Sequence, residues 1–446
     1  MSTDVPEAVF EEVASFPLAA DIHDHALLSL SLRNKTNGFT HGLHRFPAKF
    51  IPQVAEWAIR SYADGSSKIL DPFSGSGTTL VEAVRAGLDA VGQEINPLAR
   101  LISRVKSTPL DPRRLEILAR DIAAKIRPIN SELMTPIAGV ENFDHWFTRP
   151  AWRDLQTLKS AILTTPMGGN QREFFLVVFS SILRWVSNAD DQTQKTYVSG
   201  TRTKIPPAVM ATWEKSVQKA IAGMDELVPS GIQVGDVEVP ENGNALQITC
   251  DDGSINLAIT SPPYLDSVDY PYNLMLEHFW LAPELNIESR KAFNDLRRQQ
   301  MGAKSPASPG DLPFALRDRM SVLDFPESRR LAAASYFAFM DAHLGEMSRV
   351  LTPDGRYVMV VGNSRTGTGT VPIHESIIEL AEAHGLYLEH SFGYRVRRHY
   401  MKFPRAGRGG IILIDWVLTF AKSPRRLASN SFILPSLTLD PHEVAH

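Results

Sequence analysis

Asp71-Pro72-Phe73-Ser74-Gly75-Ser76-Gly77-Thr78-Thr79 is the stretch around which the rest of the chain can be organised. It follows a short apolar run at residues 68–70. Residues 79–86, stopped by Gly87, have the apolar spacing of an amphipathic helix, and residues 90–93 predict a second strand. Strand, glycine turn, helix and strand make a βαβ unit. Glycine has no Cβ, so the backbone can approach a ligand closely, and the helix N-terminus offers free N–H groups. No Gly-Lys-Ser/Thr follows, and Leu80 stands where a dinucleotide fingerprint has its third glycine, which argues against ATP and NAD. Glu94 ends the second strand about twenty residues after Gly75, a distance from which a carboxylate reaches ribose hydroxyls. The set predicts a site for an adenosyl ligand without a pyrophosphate. A bare tight turn would account for the two glycines but not for Asp71, the threonine pair and Glu94.

Outward from this motif, residues 110–219 carry helix-period patterning, and residues 257–260 predict a strand that runs into Thr260-Ser261-Pro262-Pro263-Tyr264. Later segments predict a helix at 336–349, a turn at Thr352-Pro353-Asp354-Gly355, a strand at 356–361, a helix at 374–383 and a last strand at 411–421. The expected fold is α/β: one open sheet with helices on both faces, interrupted by a helical insertion. The expected division is an N-terminal segment at 1–40, a catalytic domain at 41–105 and 244–425, the insertion at 106–243 and an irregular tail at 426–446. The 446 residues are 43% hydrophobic and 22% charged, as in a soluble globular protein. An acidic start and the lack of a long apolar run point to the cytoplasm and away from membranes. The single cysteine, Cys250, excludes an intramolecular disulfide framework, and no structural metal is expected. With a net charge of −4, any nucleic-acid binding must come from a local patch.

The second motif carries chemistry of its own. Methyl transfer to an aromatic amine requires a nitrogen lone pair drawn out of ring conjugation and acceptors for the amine hydrogens. Ser261 Oγ and the Pro262 carbonyl are candidate acceptors, Pro262 and Pro263 stiffen the loop, and Tyr264 offers a flat face to an unstacked base. Direct displacement needs no covalent intermediate. Methylation of a cytosine ring carbon would need a cysteine beside a proline, and Cys250 is followed by Asp251 and Asp252.

The pair of motifs resembles the DNA amino-methyltransferases of restriction-modification systems, whose motifs read Asp-Pro-Phe-x-Gly-Ser-Gly-Thr-Thr and Asp, Asn or Ser before Pro-Pro-Tyr. Further segments are similar to its cytosine-N4 branch: His44-Arg45-Phe46-Pro47-Ala48-Lys49-Phe50-Ile51-Pro52, Asp269-Tyr270 with Phe279-Trp280, and Leu351-Thr352-Pro353-Asp354-Gly355. The likeness covers most of residues 41–105 and 244–422. It implies a Rossmann-like S-adenosylmethionine-dependent methyltransferase sheet. Asp71, Pro72, Phe73, Gly75, Ser76, Gly77, Thr78, Thr79, Glu94 and Asn244 would then hold S-adenosylmethionine. Phe46, Pro47, Ala48, Lys49 and Phe50 would lie over its methionine end, and Ser261, Pro262, Pro263 and Tyr264 would form the catalytic loop. The family often has Gly-Asp-Ala before the fourth strand and Asp at that strand's start; here stand Gly243-Asn244-Ala245 and Asn256. Asparagine still accepts a hydrogen bond from an adenine amine. The serine at 261 favours cytosine N4 by resemblance, with adenine N6 as the near alternative. An RNA base-amine methyltransferase and a catalytically silent DNA- or cofactor-binding subunit of a defence system are the other readings.

Double-stranded DNA is the expected partner, with any cognate restriction endonuclease on a separate chain. Arg395, Arg397, Arg398, Lys402, Arg405 and Arg408, interleaved with Tyr394, His399, Tyr400 and Phe403 and free of acids, predict a nucleic-acid-facing loop. A solvated loop is the plain alternative. For Arg290, Lys291, Arg297, Arg298 and Lys304 a solvated helix face is preferred. Between residues 106 and 243 the insertion is one candidate for target recognition.

Overall fold

The computed structural model describes residues 9–31, 36–126, 142–265, 268–303, 310–317, 327–365, 370–396 and 414–423. The strands are β1 (Glu11–Val13), β2 (Ala26–Leu30), β3 (Ile69–Asp71), β4 (Ala90–Gly92), β5 (Val237–Glu238), β6 (Ile255–Thr260), β7 (Leu351–Gly362), β8 (Ser364–Arg365), β9 (Thr370–Val371), β10 (Tyr387–Arg395) and β11 (Ile414–Ala421). Nine of them form one sheet in the order β1-β2-β10-β11-β7-β6-β3-β4-β5, and β8 pairs with β9 apart from it. Neighbours in the large sheet are parallel except at β11, which runs antiparallel to both β10 and β7.

The chain steps outward from β3 through β4 to β5, then returns to lay β6 on the other side of β3. That reversal opens a crevice at the carboxyl ends of β3 and β6, where ligands of open α/β sheets bind. The sheet is thus the Rossmann-like arrangement expected, with one reversed strand.

The helices are α1 (Pro52–Tyr62), α2 (Thr78–Ala86), α3 (Pro97–Ser107), α4 (Pro112–Lys125), α5 (Phe143–Trp146), α6 (Arg149–Thr164), α7 (Gly169–Val186), α8 (Val209–Asp225), α9 (Tyr270–Asn273), α10 (Met275–Trp280), α11 (Arg290–Gln299), α12 (Glu327–Val350) and α13 (Ile373–Ala383). Side-chain alternation along β7 assigns the two faces of the sheet. Tyr357, Met359 and Val361 join the core under α12 and α13, while Val358 and Val360 join the one under α1 and α2. A third core belongs to the helices between β4 and β5, α3 among them, and it also takes in residues of α10. The Trp280 ring of α10 lies 4.8 Å from Trp152 and 5.6 Å from Phe179, so the segment after the Ser-Pro-Pro-Tyr motif is packed into the helical insertion. No helix of the described residues is long and apolar enough to cross a membrane.

Three features depart from the sequence reading. No strand is read before residue 68, yet β1 and β2 extend the sheet by pairing β2 with β10. β10 is itself unread, because a register shift between Leu388 and His390 breaks the period-two pattern. The turn expected at residues 352–355 is absorbed into β7 as an irregularity, with Ile255 opposite Leu351 but Leu257 opposite Arg356.

Candidate active site

Asp71 closes β3 in the buried interior, and its Oδ1 accepts from the Phe73 N–H at 3.1 Å and the Thr260 hydroxyl at 2.6 Å. Thr79 donates to the Ile259 carbonyl at 3.0 Å, so the glycine turn is tied twice to the end of β6. Burial pushes the Asp71 carboxyl up to about 6. Gly77 caps α2 with φ +80°, and a Cβ there would stand 3.0 Å from Cα and Cβ of Ser103, so both conformation and space call for glycine. Glu94 folds back on the turn: its Oε2 accepts from Gly75 N–H at 3.0 Å and its Oε1 from Asn96 N–H at 2.8 Å. Burial holds this carboxyl near 7, opposed by those two N–H donors and by Arg100.

The decisive geometric question is whether this turn and the proline loop share a space. They do. Phe73, Gly75, Ser76, Thr78 and Glu94 line one cleft together with Ser261 and Pro263. Pro72 and Asn244 also line it, and Phe46, Ala48, Lys49 and Phe50 form a third side. Ala48 holds φ +50°, a left-handed conformation that is costly for a residue with a Cβ and turns the segment into the cleft. Phe46 stacks on Tyr270 with centroids 6.0 Å apart. Lys49 donates to the His41 carbonyl at 3.1 Å, and burial with Lys219 nearby brings its ammonium down to about 8.

The remaining expected residues stand behind the walls. Asp71, Gly77 and Thr79 support the turn as described, and Pro47, Pro262 and Tyr264 are likewise absent from the lining. The Tyr264 hydroxyl instead donates to Asp415 Oδ1 of β11 at 3.1 Å. Asn256 lies at the opposite end of β6, where its Oδ1 accepts from the Lys68 N–H at 2.9 Å. It therefore has no place in the cleft, whereas Asn244 does.

Several cleft residues escaped the sequence reading. Ser74, Gln93 and Asn96 flank expected residues, and their only sequence signal is that adjacency. Gln299, Gln300, Met301 and Phe339 are brought in by the fold from the far side of the chain. The turn at residues 243–245 and the segment after it are braced by α12: His343 Nδ1 lies 3.0 Å from the Ala245 carbonyl oxygen, and Glu346 accepts from Ile248 N–H at 2.8 Å.

Of the basic stretch, Arg395 is exposed at the end of β10 with its guanidinium 5.3 Å over the Phe10 ring. Arg397, Arg398, Lys402, Arg405 and Arg408 lie outside the described residues. Tyr394 corrects the expectation of a base-facing aromatic: it is buried, and its hydroxyl donates to Asp415 Oδ2 at 3.0 Å. Arg297 is bound in turn by Asp269 at 2.6 Å.

The donor set suits an adenosyl cofactor. Ser74 and Ser76 line the cleft with buried hydroxyls that have no hydrogen-bond partner among the described residues, and a Cβ on Gly75 would meet Phe46 Cε1 at 3.4 Å. Sheet order, glycine turn and cleft together define the class as a Rossmann-like α/β protein with a ligand crevice at the topological switch point.

Comparison with known proteins narrows this. Residues 21–103 match the family described as DNA methylase, N6_N4_Mtase. The chain is 26% identical over 413 residues to the Type II methyltransferase M.MvaI of Kocuria varians, covering 84% of this chain and 88% of that protein. It is 34% identical over 124 residues to the Type II methyltransferase M.MjaII of Methanocaldococcus jannaschii, covering 28% of this chain and 23% of that one. Among solved structures, a TehB-like methyltransferase from Corynebacterium glutamicum aligns over 83% of this chain and 87% of its own, at 12% identity and a TM-score of 0.27, a likeness too low to carry an argument. The family match and the two relatives together support the N4/N6 DNA methyltransferase family for this chain.

Proposed function

We propose that the protein transfers a methyl group from S-adenosylmethionine to the exocyclic N4 amine of cytosine in double-stranded DNA. The observation that carries this reading is the shared cleft, with the glycine turn on one wall and Ser261 and Pro263 on the other. Glu94, Ser74, Ser76 and Asn244 would hold the adenosyl part, and Lys49 with Phe46 and Phe50 would enclose the methionine end. The cofactor supplies a sulfonium-activated methyl group. That methyl group would pass to the amine nitrogen, which would release one proton to solvent. Ser261 Oγ, on the cleft wall, accepts an amine hydrogen, which draws the nitrogen lone pair out of conjugation. A base must leave its stack to reach this cleft.

Serine at 261 supports cytosine over adenine through the family resemblance alone. Nucleoside mass spectrometry of unmodified genomic DNA incubated with the protein and cofactor is expected to yield N4-methylcytosine. N6-methyladenine alone would overturn the choice of base, and DNA left unmethylated would overturn the activity.

A further inference from the structure

Helix α7 ends on a loop that is built around one buried cation. Arg184, in the last turn of the helix, is buried, and its guanidinium is met by the main chain that follows. Nη2 donates to the carbonyls of Asp190 and Thr193 at 2.7 Å and of Lys195 at 2.8 Å. Nη1 donates to the Gln194 carbonyl at 2.9 Å, and Nε to that of Asp190 at 3.1 Å. The Asp190 N–H donates to the Tyr197 carbonyl at 2.8 Å, which closes residues 190–197 into a ring. A guanidinium taken out of water is costly unless its N–H groups are met, so the loop cannot relax without leaving that charge bare.

This ring is fastened beside both members of the Phe46–Tyr270 pair that lines the cleft. Arg45, next to Phe46, donates to the Thr193 carbonyl at 2.9 Å. The Thr196 hydroxyl donates at 2.8 Å to the carbonyl of Asn273, the last residue of α9, which begins at Tyr270.

With the carbonyls turned inward, Asp191, Gln192 and Lys195 are left exposed. The Gln192 backbone is fixed from both sides: its N–H donates to Asp190 Oδ1 at 2.9 Å, and Arg184 holds the carbonyls of Asp190 and Thr193. A carboxamide on such a backbone presents a donor and an acceptor in one plane, the pattern that pairs with a base edge. The Lys195 ammonium suits a phosphate oxygen. A loop that is already ordered also loses little conformational freedom on binding.

When a base leaves its stack to enter the cleft, the base pairs beside it come to rest against the cleft mouth. We propose that residues 191–195 form a sequence-reading loop for duplex DNA, with Gln192 meeting a base edge beside the target base and Lys195 meeting a phosphate. The inference rests on the reading of the protein as a DNA methyltransferase and adds where the recognition site is read. Arg184 sets the shape of the loop from beneath.

Two measurements test it. In the first, unmodified genomic DNA is incubated with protein and S-adenosylmethionine, and the methylated positions are mapped by single-molecule sequencing. Gln192→Ala is expected to lower discrimination at one base pair of the recognition site by about tenfold, admitting sites that the parent leaves unmethylated. Lys195→Ala is expected to weaken binding to all sequences alike and to lower the salt slope of DNA affinity by about 1. An unchanged set of sites in Gln192→Ala overturns the proposal, as does an unmoved salt slope in Lys195→Ala. The second measurement needs no methyl transfer. The parent protein is acetylated with an amine-reactive ester, and the rate at Lys195 is read by peptide mass spectrometry. Bound fragments of genomic DNA are expected to slow that rate by about tenfold. If the parent methylates DNA while Lys195 stays unprotected, the loop proposal fails and the activity stands. If it methylates no DNA while Lys195 is protected, the methyl-transfer reading fails and the DNA contact of the loop stands.

Discussion

The two walls of the cleft are built by opposite means. On the cofactor side the contacts are local and made largely by the backbone: Gly75 N–H meets a Glu94 oxygen 19 residues on, and Gly77 turns the chain into α2. On the target side they are made by side chains from distant places, Tyr264 reaching Asp415 across 151 positions. A wall of the first kind can be damaged by a single added methyl group. A wall of the second kind fails through lost polar partners, and it depends on the whole sheet being assembled.

The largest expected effect tests the backbone wall. Gly77→Ala adds a Cβ in a left-handed conformation and against Ser103, which together cost about 2–4 kcal/mol. Urea denaturation should show that loss, and calorimetry should show cofactor binding abolished. A stable, cofactor-binding Gly77→Ala protein would erase the contrast.

The next concerns Glu277 of α10, buried behind the target wall. Burial lifts its carboxyl to about 7, with Arg184 and Arg45 pulling the other way. The unfolded chain releases this proton near 4.5, so the native state binds more protons between pH 4.5 and 7, and stability falls as pH rises through that window. Glu277→Gln removes the dependence. Its stability relative to the parent should rise by up to about 3 kcal/mol from pH 4.5 to 7.5, read from denaturation midpoints. A gap that does not change with pH would mean that the arginines keep the carboxylate ionised.

The smallest effect is at Asn256, outside both walls. Asn256→Ala removes the acceptor for Lys68 N–H and should cost about 1 kcal/mol or less, with cofactor affinity unchanged. A fall in affinity would extend the cofactor wall to the far end of β6.

This contrast also explains what could be read from sequence. The β3–α2–β4 unit was legible because its glycines, its apolar spacing and Glu94 lie within one short stretch. Helical periodicity between β4 and β5 was legible for the same reason, and α4, α6, α7 and α8 form there. Tyr394 was read as a base-stacking aromatic because neighbouring arginines suggested it, whereas pairing with β11 turns it into the interior. Asp415 gave no local signal: it is one acid at the start of an apolar strand, and its meaning comes from partners supplied by β10 and by the loop after β6. Gln299, Gln300 and Met301 reach the cleft through tertiary packing alone, which no short window records.

The reversed direction of β11 has a consequence for how such an enzyme could change its target. Loops that leave parallel strands carry their side chains on freely variable backbone. Asp415 instead stands within a strand held from both sides, like a fixed datum among movable parts. Neighbouring loops could lengthen, shorten or be exchanged for those of relatives while the Asp415 anchor of the loop at residues 261–264 kept its place.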